Sequence, residues 1–90
     1  MTEVLIIDDE IDISESISAI LQDEGLSCTT VSNSFDAIDS IHKVTYDLII
    51  LDVWLNEEDY DGIKLLKLIK KNYPKIPVII ISGHGNIDMA

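Results

Sequence analysis

Asp8-Asp9-Glu10 directly follows the apolar run Val4-Leu5-Ile6-Ile7, and Asp52 directly follows Leu48-Ile49-Ile50-Leu51. In an open α/β sheet, sites form beyond the carboxyl ends of the strands, at the point where strand order switches. If these two runs are neighbouring strands there, Asp8, Asp9 and Asp52 meet in one crevice. Three carboxylates at short range repel one another strongly. A hard divalent cation resolves the conflict, and all-oxygen ligation that keeps several waters suits Mg2+, which characteristically bridges carboxylates and phosphate. The same cation would neutralise an incoming phosphoryl group so that a carboxylate can attack it. Asp is a known nucleophile of that kind and forms an aspartyl phosphate. The bland alternative is that Asp merely ends strands, because it favours turns. Ser82 follows a third apolar run, Val78-Ile79-Ile80-Ile81, and its hydroxyl can bond a phosphoryl oxygen at the neighbouring strand end. Ser82-Gly83 is also an ordinary turn pair.

The elements that would position these residues are legible. The three runs are β-branched and continuous rather than alternating, as expected of strands buried on both faces of a parallel sheet. Ser27 to Val31 is a weaker strand. Ile13, Ile17, Ile20 and Leu21 lie at helical spacing, and Gly25 stops that helix. Ser34 can cap a second helix carrying Ala37, Ile38 and Ile41. Ile63, Leu66 and Ile69 mark a third, with Lys67, Lys70 and Lys71 towards the end where the helix dipole favours cations. Pro74 and Pro77 close it and open the last strand. The order β-α-β-α-β-α-β, with another helix beginning near Asn86, predicts an α/β fold with a parallel sheet and helices on both faces.

Composition narrows the function. The 90 residues suit one domain, and 47% hydrophobic residues with few aromatics imply a core of Ile, Leu and Val. Seventeen acids against six bases give a net charge of -11, which disfavours nucleic acid and anionic membranes as partners and favours cations or basic partners. Cys28 is the sole cysteine, so neither an internal disulfide nor a cysteine-based zinc motif is possible. A lone thiol, no basic leader after Met1 and only short apolar runs predict a cytoplasmic location with no membrane partner. Gly62, Gly83 and Gly85 form no nucleotide-binding pattern.

Ile7-Asp8-Asp9-Glu10, Leu51-Asp52-Val53, Asp61-Gly62 and Ile81-Ser82-Gly83 together resemble the receiver domain of two-component response regulators, over essentially the whole chain. The resemblance implies a flavodoxin-like, doubly wound sheet of order 2-1-3-4, followed by a fifth strand. It implies that Asp52 takes phosphate from a sensor histidine kinase. Asp8 and Asp9 would hold Mg2+, with Asp9, Asp52 and the backbone carbonyl of Trp54 as direct ligands. Ser82 would be the switch hydroxyl that moves to the phosphate. Trp54 and His84 would stand at the positions that gate water access to the acyl phosphate. Trp54 reads equally well as a partner-facing or partly buried aromatic, and His84 as a loop residue.

Two features depart from the common receiver pattern. The loop from Trp54 to Tyr60 is about two residues longer than usual, lacks a proline and carries Glu57, Glu58 and Asp59. With Ser82-Gly83-His84-Gly85 it is most similar to the nitrogen-regulation NtrX branch, in which an ATPase and a DNA-binding domain form the output. The sequence ends at Ala90, before the family's last strand and last helix, and no lysine of residues 1–90 ends a strand. The expectation is therefore an incomplete receiver domain whose Val78–Ile81 strand is a bare apolar edge, prone to dimerisation or strand exchange. Two rival functions remain: a Mg2+-dependent phosphatase with an Asp nucleophile, and a receiver-like interaction module that takes no phosphate. Trp54 stands where such phosphatases place a second acid and has no proton to offer a leaving group.

Overall fold

The computed structural model describes residues 2–52, 62–81 and 87–89. Its elements run β1 (Glu3–Ile7), α1 (Ile11–Asp23), β2 (Ser27–Val31), α2 (Ser34–Lys43), β3 (Leu48–Asp52), α3 (Gly62–Asn72), β4 (Val78–Ile81) and β5 (Ile87–Met89). The sheet order is β2-β1-β3-β4-β5. The first four strands are parallel and take the expected order 2-1-3-4, while β5 runs antiparallel to β4.

Alternate residues of the central strands feed two separate cores, because side chains along a strand point to opposite faces. Leu5, Ile7, Ile49 and Leu51 pack with Ala37 and Ile41 of α2 and Leu65 and Ile69 of α3. Val4, Ile6 and Ile50 face the other way, towards Ile17 and Leu21 of α1. This two-sided burial explains why β1 and β3 read as continuous apolar runs.

The helix ends follow local rules with one amendment. At the end of α1, Gly25 has φ +88°. Its N–H donates to the Gln22 carbonyl at 3.0 Å, and the Leu26 N–H donates to the Leu21 carbonyl at 3.1 Å. This pair of bonds satisfies the last carbonyls and relies on a left-handed residue that glycine adopts without strain. The cap of α2 is Asn33 rather than Ser34: its side-chain oxygen accepts from the Asp36 N–H at 2.8 Å. Ser34 is instead the first helical residue, and it is buried.

Three expectations change. Ile13, Ile20 and Ile63, assigned to helix core faces by spacing, are exposed, Ile20 by 64%. The strand face beneath α1 meets Ile17 and Leu21, and Leu65, Leu66 and Ile69 carry the burial on α3. Spacing alone allowed a wider stripe than the contact uses. Second, Ile87–Met89 is a strand rather than part of a helix beginning near Asn86. Third, β4 is consequently not a bare edge, since Ile79, Ile80 and Ile81 pair with Met89, Asp88 and Ile87. The backbone groups along an unpaired edge need partners, and the returning chain supplies them.

Fully buried Leu51 should cost about 2–5 kcal/mol when cut to Ala, because the site cannot collapse around the void. Exposed Ile20→Ala should change stability by no more than about 0.5 kcal/mol. Urea unfolding of the two variants checks the contrast.

Candidate functional site

The site is made by the pairing of β1 with β3. Their register aligns Ile7 with Leu51, so Asp8, the residue after β1, comes level with Asp52, the last residue of β3. Asp8 is held from two sides. Its N–H donates to the Val31 carbonyl at the end of β2 at 3.1 Å. Its Oδ1 accepts the Glu10 N–H at 2.8 Å. The second bond turns the chain sharply into α1, the local use of Asp that its turn preference reflects. Glu10, the residue before α1, caps it with no side-chain bond of its own.

The structure brings together the three carboxylates singled out from sequence. One oxygen from each of Asp8, Asp9 and Asp52 lies within 4.8 Å of the other two. Asp8 is 3% exposed and Asp52 8% exposed, whereas Asp9 is open to solvent. Two of the acids are thus buried and the third is exposed. Their oxygens can all reach one hard cation, the ligand set that Mg2+ or Ca2+ prefers. Nitrogen and sulfur donors are absent from this described group, which disfavours zinc.

Crowding shows in the acidity of Asp8. Burial, foremost, pushes its carboxyl from 3.8 up to about 6. The Glu10 N–H opposes the rise, while the charge of Asp52, a hydrogen bond with Asp52 and the charge of Asp9 reinforce it.

Asp52 is also aligned with Ile81, the last residue of β4. Ser82, Trp54 and His84 lie outside the described residues, as does the acidic loop from Glu57 to Asp59. Sequence reading missed the Glu10 amide, which braces Asp8; the signal available was an Asp two residues before a helix start. His42, read as a surface residue, is exposed, with Nδ1 3.3 Å from the Tyr73 hydroxyl at the far end of the sheet. Cys28 is half-buried against the α1 face.

A doubly wound sheet with three acids gathered at the carboxyl ends of adjacent parallel strands defines an α/β domain with an oxygen-lined cluster at its switch point. Comparison with known proteins gives the family: residues 4–90 match the response regulator receiver domain, and the chain belongs to it. The nitrogen assimilation regulatory protein NtrX of Azorhizobium caulinodans is 46% identical over 88 residues, 98% of this chain and 19% of that protein. The chain thus spans about a fifth of the length of the curated relatives it matches. The crystal structure of the receiver domain of NtrX from Brucella abortus superposes with a TM-score of 0.86 at 42% identity, covering 92% of this chain and 69% of that one. The response regulator TrrA of Thermotoga maritima, solved with Mg2+ and BeF, is 29% identical with a TM-score of 0.84 over 93% of this chain and 73% of its own. TrrA has also been solved in complex with the histidine kinase ThkA, where it covers 96% of this chain and is covered over 72%, at 28% identity and a TM-score of 0.84.

The raised pKa of Asp8 fixes the sign of its contribution to stability. A carboxyl that binds its proton more tightly folded than unfolded adds stability below pH 3.8, and that contribution is lost as pH rises through about 6. Without divalent cations, wild type should therefore lose stability relative to Asp8→Asn between about pH 4 and pH 7, ending on the order of 1–2 kcal/mol below it. Denaturation curves of both proteins across that range, in chelator, measure the difference.

Proposed function

We propose that the chain is the phosphoacceptor domain of a two-component response regulator, in which Asp52 takes a phosphoryl group from a phosphohistidine of a sensor histidine kinase. The observation that carries this reading is the convergence of Asp8, Asp9 and Asp52 oxygens within 4.8 Å at the ends of two adjacent strands. The likeness to TrrA, solved with Mg2+–BeF and with a histidine kinase, supports both the cation and the partner class.

Asp9, Asp52 and the Trp54 carbonyl would hold Mg2+ directly, with Asp8 beside them. When bound, the cation neutralises the acid cluster and charge on the incoming phosphoryl oxygens. An Asp52 oxygen attacks phosphorus. The O–P bond forms as the N–P bond of the phosphohistidine breaks, and the departing electron pair stays on the imidazole nitrogen. Burial of Asp52 leaves that oxygen poorly hydrated, which favours attack once repulsion from Asp8 is relieved. The Ser82 hydroxyl donates to a phosphoryl oxygen and, in doing so, shifts position and signals to the output domains. A transcription-regulating output with ATPase and DNA-binding domains agrees with the NtrX likeness. The domain itself turns over no substrate; it accepts a phosphoryl group and assists its loss.

Incubation with acetyl phosphate and Mg2+ should place label on Asp52, and Asp52→Asn or chelator should abolish it. Rapid turnover of general phosphomonoesters would favour a phosphatase instead, and no label at all would leave an interaction module. Trp54→Ala and His84→Ala should each shorten the lifetime of the labelled species, measured as decay of phosphoprotein. Unchanged decay in both variants removes the gating role.

A further inference from the structure

The edge of the sheet opposite β5 has a feature that phosphoryl chemistry leaves unused. β2 pairs with β1 on one side, and no described strand pairs with its other side. All five residues of β2 keep register with β1, so no bulge interrupts the edge. Ser27-Cys28-Thr29-Thr30-Val31 also contains neither the lysine nor the proline with which natural edge strands discourage pairing.

The direction of its backbone groups follows from the bonds at either end. The Ser27 N–H donates to the Thr2 carbonyl at 2.9 Å, and the Val31 carbonyl accepts from the Asp8 N–H at 3.1 Å. In a parallel ladder, alternate residues direct both groups to the same neighbour. Ser27, Thr29 and Val31 therefore face β1, and Cys28 and Thr30 turn their N–H and C=O groups outward.

A cleft of about 540 Å³ straddles this edge. Thr29 and Thr30, which point to opposite faces of the sheet, both line it and both are exposed. Ile11 and Ser14 of α1 form one wall, and Asp36 and Asp39 of α2 the other. Asp8 closes one end. The cleft's one lysine, Lys43, is already paired with Asp39 at 3.0 Å. Outward backbone groups in an acid-walled cleft fit the addition of an extended strand.

We infer that the outer edge of β2 docks an extended, basic peptide segment, which adds as a sixth strand between α1 and α2. The charge argues for a basic partner over a second copy of the chain, since two copies would each bring -11. Alternate side chains of the docked strand would face Asp36 and Asp39 on one side and Ile11 on the other.

The test uses the 90-residue chain with two peptides of equal charge: an acetylated, amidated seven-residue peptide alternating Lys and Val, and its counterpart of the same sequence with every residue's backbone nitrogen methylated. Amide hydrogen exchange is followed residue by residue. The Lys–Val peptide should bind and slow exchange at Cys28 and Thr30 by roughly tenfold or more, leaving the already bonded Thr29 and Val31 little changed. The N-methylated peptide, whose residues cannot donate to a ladder, should do neither. Asp36→Asn with Asp39→Asn, both exposed on α2, should weaken the Lys–Val peptide by about fivefold. Equal binding of the two peptides would reduce the effect to charge alone and overturn the inference. So would absence of binding, protection at Ile79–Ile81 instead, or protection of Cys28 and Thr30 that grows with protein concentration without peptide.

Discussion

Repulsion among three carboxylates is the interaction around which this domain is arranged. Backbone pairing of β1 with β3 is strong and apolar, and it forces Asp8 and Asp52 level with each other whether or not their charges tolerate it. The raised pKa of Asp8, owed first to burial and then to the charges of Asp52 and Asp9, carries part of that cost.

The rest of the sheet makes this placement rigid. Leu5, Ile7, Ile49 and Leu51 on one face and Val4, Ile6 and Ile50 on the other lock β1 and β3 between helical layers. The two strands cannot slip by one residue without exchanging their faces. Asp8 is tied further through Val31 and Glu10, so the ends of β1, β2 and α1 act as one support. Towards the sheet's edges the constraint relaxes. The residues of β4 other than Val78 are half-buried, and Thr29 and Thr30 on β2 are exposed. Burial is thus greatest on the central strands and falls away towards the margins of the sheet.

Much of this was legible in residue order. The three continuous apolar runs, the Asp at the ends of two of them and Gly25 after the first helix prescribe strands, site and helix stop through short-range rules. What eluded the sequence were choices decided by neighbours. Helical spacing nominated Ile13, Ile20 and Ile63 as core, but the width of the strand face beneath each helix determined which apolar residues were covered. Ser34 was read as the cap of the second helix, but the preceding Asn33 takes the extended backbone of a cap and accepts the Asp36 N–H.

Ile87–Met89 makes the same point about the backbone: its local pattern allowed a helix, and the unpaired groups on β4 made it a strand. Sequence by itself determined which residues are apolar, which carry charge and where the chain can turn, since these are properties of single residues and close neighbours. Tertiary structure alone decided that Asp8 meets Asp52, 44 positions away, because only the pairing of distant strands brings the charge of Asp52 close enough to help raise the pKa of Asp8.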